Sequence, residues 1–408
     1  MILAPASSPR IEVTQLAQGG GSWWKIEMLQ KRAPAKTRAP GLICAVAFLF
    51  LVSCAHTEQL DLSRLKLPEG FHIAVFATAP HARMLAFSPG GVLLVTDMSD
   101  GKVLAFPDPK HTGKAERTVT VLDDLNAPHG LAFHNSKLYV AEINAVRRYD
   151  WDEAQLKASN GQELADLPGS GGGHSTRTII FWNGKIYVAA GSSCNVCKED
   201  DARRAAVTEY NEDGSGQPRL FASGLRNSVG LAVNSKTNTI WAVDNGRDWL
   251  GDNLPPEEVN DLGTNGGNFG WPYCYGDRVR DTSQSKTYDC SKTIAPKLMM
   301  QAHSAPLNLL FYTANMFPAE YRNNMFIAFH GSWNRSIPTG YKVIRVKLDN
   351  NGQPQGHPED FITGWLRPGE TRKGVWMGRP VGLAVGPEGA LYVSDDSAGV
   401  VYRVTYGK

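Results

Sequence analysis

Gly224-Leu225-Arg226-Asn227-Ser228-Val229-Gly230-Leu231-Ala232-Val233 leads, after a short turn region, to Ile240-Trp241-Ala242-Val243-Asp244-Asn245-Gly246-Arg247-Asp248. The runs Gly230 to Val233 and Ile240 to Val243 are apolar and short, and they read as two strands of one hairpin. Antiparallel pairing brings the polar entry, Arg226-Asn227, and the polar exit, Asp244-Asn245-Gly246, to the same sheet edge. A fixed cation, an amide, a carboxylate and glycine-rich backbone meet there. That lining suits an anionic ligand and a hard metal ion. An acidic, proline-containing loop follows from Trp249 to Leu262, and the stretch closes with Gly266-Gly267-Asn268-Phe269-Gly270-Trp271-Pro272.

The hairpin recurs along the chain. Met84-Leu85-Ala86-Phe87, a turn and Val92 to Val95 precede Thr96-Asp97. Gly130-Leu131-Ala132-Phe133, a turn and Lys137 to Val140 precede Ala141-Glu142. Thr178-Ile179-Ile180-Phe181, a turn and Lys185 to Val188 form a third copy, and the opening stretch is the fourth. A diverged fifth spans Leu307 to Val346, and Gly382-Leu383-Ala384-Val385 begins the sixth, which ends at Ser394-Asp395. The first four are spaced by about 46 to 52 residues and the later ones by more than about 70. Repeats of that period with short strands predict an all-β chain: a six-bladed β-propeller of four-stranded antiparallel blades. Closure protects the sheet edges. The strand Phe71 to Ala77 is therefore expected in the last blade beside Val400 to Val404, so that N- and C-terminal strands share it. The longer spacings place insertions at about 249–305 and 347–375, where loops on a rigid scaffold form a binding rim.

The chain has 408 residues, 42% hydrophobic and 20% charged, with a formal net charge of +2. The near balance argues against a nucleic-acid footprint. Lys31, Arg32, Lys36 and Arg38 precede the apolar run Gly41 to Val52, too short to span a membrane and suited to a signal segment. Its end, Leu51-Val52-Ser53-Cys54, resembles a lipobox, which makes Cys54 a lipidation candidate; an ordinary cleaved signal peptide is the alternative. The expected division is an N-terminal extension with signal segment over 1–54, a linker over 55–66 and the propeller over 67–408. The chain is expected to be exported to the periplasm, with membrane attachment only through a lipid at Cys54. Export makes disulfides plausible, with Cys194 and Cys197, and Cys274 and Cys290, as the local pairs. A redox or metal role for Cys194-Asn195-Val196-Cys197 is the other reading. A four-thiolate zinc site would need Cys274 and Cys290 too, and Lys198 stands where a c-type haem motif has histidine.

Asp97, Glu142, Asp244 and Asp395 each follow the second strand of a repeat. Turn-capping explains such carboxylates; for Asp244, a negative rim suited to a metal is the favoured reading. Gly171-Gly172-Gly173-His174-Ser175-Thr176-Arg177 leads into the third repeat, Arg226-Asn227 into the fourth and Arg379 into the sixth. Equivalent positions in different blades face one end of the channel, so His174, Arg177, Arg226 and Arg379 are expected to meet there.

In this order and spacing, these motifs resemble the soluble pyrroloquinoline-quinone-dependent sugar dehydrogenases, particularly the L-sorbosone and aldose sugar dehydrogenase branch. The likeness runs over residues 67 to 406. It also includes Glu257-Glu258-Val259-Asn260, Arg379-Pro380-Val381-Gly382-Leu383 and Tyr392-Val393-Ser394-Asp395-Asp396-Ser397-Ala398-Gly399. The resemblance implies a six-bladed propeller carrying pyrroloquinoline quinone (PQQ) and Ca2+ that oxidises a sugar at its anomeric carbon. It assigns His174 as general base and Arg226 as stabiliser of charge on the quinone oxygen. It assigns Asn227 as a quinone hydrogen-bond partner, Gly246 and Arg247 as main-chain calcium ligands, and Arg379, with Arg177 in the same cluster, as a cofactor cation. Where the glucose-oxidising members place a lysine on the cofactor, this chain has Phe329-His330-Gly331-Ser332-Trp333-Asn334-Arg335, and Arg335 is the expected substitute. Trp249 and Trp333 could stack on a sugar ring, but for each taken singly loop packing is the favoured reading. No second redox domain is visible, so a separate electron acceptor, a cytochrome or quinone, is expected. A calcium-dependent lactonase and a non-catalytic binding propeller are the competing readings.

Overall fold

The structure, a computed structural model, describes residues 60–169 and 172–407. The signal-like run, Cys54 and Gly171 lie outside the described residues. Six four-stranded antiparallel sheets follow one another along the chain. Blade 1 is Ala82–Phe87, Leu93–Asp97, Lys102–Phe106 and Val119–Leu122; blade 2 is Gly130–His134, Lys137–Ala141, Ala145–Asp152 and Lys157–Asp166. Blade 3 is Arg177–Trp182, Lys185–Ala190, Ala206–Asn211 and Arg219–Ser223; blade 4 is Ser228–Asn234, Thr239–Asp244, Glu257–Asp261 and Leu298–Met300. Blade 5 is Pro306–Phe311, Met325–Phe329, Lys342–Leu348 and Pro354–Ile362. Blade 6 joins Pro380–Val385, Leu391–Asp395 and Val400–Tyr406 to the N-terminal strand Phe71–Thr78. Among the described residues the only helical segments are three short 3-10 turns, at Leu62–Arg64, Cys290–Lys292 and Ala319–Tyr321.

The first strand of each blade packs on the first strands of both neighbours, and blade 6 meets blade 1 in the same way, so the fold is a closed six-bladed propeller. Packing at the axis explains the Gly-Leu-Ala signature. A methyl on Gly130 would lie 2.6 Å from Arg177 O, one on Gly230 would lie 2.8 Å from Asn308 Cα, and one on Gly382 would lie 2.4 Å from Arg83 O. Blades 2, 4 and 6 thus admit the neighbouring backbone where a Cβ would stand. Hydroxyls also bridge adjacent blades, two of them from second strands: Thr96 Oγ1 donates to His129 O, Thr178 Oγ1 to Val229 O and Ser394 Oγ to Arg83 O. The second strand of each blade is buried on both faces, as in Thr239–Asp244 and Leu391–Asp395. It is sandwiched between adjacent blades, so its sequence is a continuous apolar run rather than an alternating one.

Closure uses the expected strands. Phe71 pairs with Tyr406, Val75 with Tyr402 and Thr78 with Val400. Residues 60–66 of the segment expected as a linker pack on the propeller: Leu65 is buried, and Lys66 and Thr363 exchange main-chain hydrogen bonds. The second expected insertion, 347–375, is in part the ordinary outer strand Pro354–Ile362. The first, 249–305, carries the two outer strands of blade 4, a parallel addition to blade 3 (Gly267–Asn268) and the small hairpin Cys274–Tyr275/Val279–Arg280. Cys194 is disulfide-bonded to Cys197 and Cys274 to Cys290. With all four sulfurs paired, no thiolate is left for the four-thiolate zinc reading.

Candidate active site

The strand-end carboxylates tie down the loops that enter the first strands. Asp244 accepts from Arg226 N (3.1 Å), Asn227 N (2.8 Å) and Ser228 Oγ (2.9 Å). Asp395 accepts from Arg379 N (2.8 Å), Ser397 N (3.1 Å) and Ala398 N (2.8 Å), and Glu142 accepts from Asn126 N (2.6 Å). This corrects the metal-rim reading of Asp244. Both of its oxygens are engaged by the loop it shapes, and burial pushes its carboxyl up to about 6.

His174 is held in one tautomer. Its Nδ1 lies 3.1 Å from Ser192 O and 3.0 Å from Ser192 Oγ, and that hydroxyl donates to Cys194 O at 2.6 Å. A carbonyl only accepts, and the serine proton is already committed. The network therefore assigns the hydrogen to Nδ1 and leaves the lone pair on Nε2, which has no partner among the described residues. Burial first, then the charges of Arg226, Arg204 and Arg177, lower the imidazole to about 3, so it is neutral at neutral pH. Gly191 sets its position, because a methyl there would lie 2.4 Å from Asn227 Oδ1 and 2.6 Å from His174 Cβ. Both side chains thus pack on one glycine at the end of a blade 3 strand.

Arg177 does not line the mouth as expected. It is fully buried, and its guanidinium donates to His174 O (3.1 Å), Thr176 O (2.8 Å) and Pro168 O (2.6 Å). Its role is corrected from cofactor contact to support of the His174 loop. Arg204, which sequence reading missed, adds bonds to His174 O (3.4 Å) and Gly191 O (3.3 Å).

Arg226 stands beside this group with every N–H engaged. Nε donates to Asn195 O (2.9 Å). Nη1 donates to Asn245 O (3.2 Å) and Gly246 O (2.8 Å). Nη2 donates to Asn195 Oδ1 (2.9 Å) and Asp248 Oδ2 (3.1 Å). A direct hydrogen bond to a ligand would require it to release one of these partners, which leaves its buried charge as what it offers to the site. Asn195, inside the Cys194–Cys197 loop, also accepts from Asp248 N (2.8 Å). The Gly246 N–H donates to Glu257 Oε2 (2.8 Å), and the Arg247 side chain turns away to Asp281 (2.5 Å) and Ser283 (2.9 Å). A cleft lined by Arg226, Asp244, Gly246, Arg247, Glu258, Trp271, Tyr275 and Asp281 adjoins the site. Its walls include Arg226, Gly246 and Arg247 but not His174, Asn227 or Arg379.

Arg379 forms a second group. Nε donates to His330 O (3.1 Å) and Nη2 to Gly331 O (2.8 Å), and the guanidinium lies over the Trp376 ring at 5.0 Å and the Tyr341 ring at 5.6 Å. Nη1 has no partner among the described residues. His330 Nε2 lies 2.9 Å from Asp396 Oδ1, and Arg83 Nη1 donates to Asp396 Oδ2 at 2.7 Å. Burial opposes ionisation of Asp396, yet His330 and Arg83 hold it well below the usual carboxylate range. Arg335 is not with them. It donates to Ile337 O (3.3 Å), Ala302 O (3.3 Å) and Asp252 O, which corrects its assignment to a rim strut. The two groups are joined through Asp248 and Asn334, whose Nδ2 donates to Asp248 Oδ1 at 2.7 Å.

The chain forms a closed six-bladed propeller with a neutral histidine held in one tautomer and with guanidiniums fixed by main-chain and side-chain oxygens in the loops at the strand ends. Residues 65–407 match the TrAA12-like family model, and the chain belongs to that family. A pyrroloquinoline quinone-dependent sugar dehydrogenase of Hypocrea jecorina is 25% identical, covering 89% of this chain and 96% of that protein. A pyrroloquinoline quinone-dependent pyranose dehydrogenase of Coprinopsis cinerea is 26% identical over 86% of this chain and 56% of that protein. The calcium structure of a Trichoderma reesei carbohydrate-active enzyme of family AA12 aligns with a TM-score of 0.75 at 25% identity, covering 86% of this chain and 100% of that one.

Proposed function

We propose that this chain is a quinoprotein oxidoreductase that oxidises an aldose or a related, sorbosone-like sugar aldehyde at the anomeric carbon, using PQQ and calcium. The observation that carries the reading is the His174 network, which leaves one uncharged base atom, Nε2, beside Asn227 and the Arg226 charge. The residues fit the cofactor. Arg379 has an unused Nη1 for a carboxylate, and Arg247 offers a main-chain oxygen to a hard cation, which Gly246 O, already accepting from Arg226 Nη1, would join through its second lone pair. Two buried atoms near the axis, Arg83 Nε and His129 Nε2, lack protein partners. When bound, the quinone supplies the hydride acceptor and calcium polarises it.

The chain's own part is acid–base and positional. His174 Nε2 takes the anomeric hydroxyl proton as that carbon becomes a carbonyl carbon. Ser192 holds the ring, and the charge of Arg226 favours negative charge at the mouth. Electrons then leave to a separate acceptor. The two disulfides agree with export, and we place the protein in the periplasm, lipid-anchored at Cys54; palmitate labelling that is equal in wild type and Cys54→Ala would overturn the anchor.

The decisive assay is dye reduction by the purified protein with an aldose panel that includes sorbosone, with and without PQQ and calcium. Turnover requiring both additions is expected. His174→Ala should bind quinone but lose about 10²- to 10⁴-fold in kcat; equal kcat in that variant removes His174 from the mechanism. Absence of both quinone binding and turnover refutes the reading.

A further inference from the structure

Trp249 and Trp333 are the only exposed tryptophans among the described residues, at 69% and 58% exposure. They meet edge to face, with ring centroids 5.3 Å apart and planes at 82°. Trp249 has φ 70°, a left-handed backbone that a bulky side chain seldom adopts. The fold holds this indole outward against local preference. Neither indole N–H has a partner among the described residues.

The pair sits one residue outside the catalytic network. Trp249 follows Asp248 and Trp333 precedes Asn334, and Asp248 binds both Asn334 and Arg226. Exposure rises along this path, from 6% for the Arg226 side chain and 18% for that of Asp248 to the two open rings. The two loops are also bound to each other by Ser336 N donating to Asp252 Oδ1 at 3.0 Å, and by Arg335 donating to Asp252 O. The rings are thus pre-positioned.

Resting on the sugar-dehydrogenase reading above, we propose that Trp249 and Trp333 form a stacking platform for the sugar unit next to the one oxidised, so that the preferred substrate is an oligosaccharide with a free reducing end. A pyranose offers a C–H face and a hydroxyl rim. An indole offers an apolar face with one donor at its edge, and Asp252 and Asn334 add polar groups beside it. The reacting unit lies at His174, and a second unit extending outward past Asp248 meets the rings.

The experiment compares glucose, maltotriose and cellotriose in two assays. In the first, on full-length protein without cofactor, a trisaccharide changes the tryptophan emission of wild type, and Trp333→Ala and Trp249→Ala lose the response. In the second, on protein loaded with PQQ and calcium, the trisaccharide-to-glucose ratio of kcat/KM falls about tenfold in either variant, the size of one lost ring contact, and Trp333→Phe restores most of it. Trisaccharide binding that needs the two rings, in a protein with no quinone-dependent turnover, would sink the dehydrogenase reading and leave the platform standing. Turnover with no emission response to trisaccharide overturns the platform alone. So does an unchanged ratio in both variants, including the case in which only electron delivery to a protein acceptor slows.

Discussion

Gly191→Ala tests whether the site depends on its packing. The new methyl would lie 2.4 Å from Asn227 Oδ1, 2.6 Å from His174 Cβ and 3.1 Å from His174 Cγ. Non-bonded heavy atoms settle at roughly 3.5 Å, so His174 and Asn227 must part from the methyl by about 1 Å. The backbone cannot yield easily, because His174 N donates to Ser192 O and Ser192 N to Arg226 O, while His174 O is held by Arg177 and Arg204. Overpacking of this kind costs about 1–3 kcal/mol of stability, which a propeller with six interlocked blades withstands. A displacement of about 1 Å at a catalytic base costs about 10²-fold in rate. The expected result is a folded protein with a slightly lower Tm and kcat reduced about a hundredfold in the dye assay. Gly169→Ala, whose methyl would meet nothing within 4 Å, is the control and should leave kcat within about twofold. Wild-type kcat in Gly191→Ala would show that His174 does not need this seat, and the assigned base would be wrong.

Asn195→Ala leaves one N–H of Arg226 Nη2, whose other N–H keeps Asp248 Oδ2, and the Asp248 N–H without an acceptor; a loss of about 1–3 kcal/mol and a lower kcat are expected, read by urea titration and dye reduction. Phe71 meets Phe317, Tyr321, Phe361 and Tyr406 at centroid distances of 4.8 to 5.0 Å, so Phe71→Ala should cost about 3–5 kcal/mol and loosen the closing strand; an unchanged melt would argue against closure as a stability element. Burial lowers His129 and His174 to about 3, so the folded state refuses a proton that the unfolded state accepts below 6.5, and stability rises with pH between about 3 and 6.5. Burial raises Glu257 to about 8, so the folded state keeps a proton that the unfolded state loses above 4.5; this contribution fades as pH rises through 8. Glu257→Gln should therefore flatten the fall in unfolding free energy between pH 4.5 and 8, and identical slopes in wild type and variant would refute that assignment.

The architecture was legible because its physics is repeated. The inner strands of alternate blades need a residue the neighbouring backbone can approach, hence Gly130, Gly230 and Gly382. Each second strand lies between two blades, hence the apolar runs. The same register places the strand entries that carry His174, Arg226 and Arg379 at one end of the channel. It did not show which way the arginines reach. A guanidinium on a long flexible stem can serve any cluster of carbonyls nearby, so Arg177 and Arg335 were read as ligand cations although main-chain oxygens hold both. Asn195, Asp248, Arg204 and Ser192 escaped notice because irregular loops carry no periodicity. The one available signal was Cys194-x-x-Cys197, which braces the loop bearing Asn195.

A propeller leaves each blade its own sheet, so a base on blade 3 and a cation on blade 6 are related through contacts between blades, and at the rim these include a run of side-chain hydrogen bonds. It passes from Asn195 to Arg226, from Arg226 to Asp248 and from Asp248 to Asn334; a few residues back along that same loop, His330 O and Gly331 O accept from Arg379. Asp248 and Asn334 lie on the same loops as the exposed tryptophans. The residues that would select a sugar are therefore mechanically continuous with those that would place the chemistry. A change in these loops made to accept a new substrate should alter kcat as well as KM, unless the Asp248–Asn334 and Asp248–Arg226 bonds are kept.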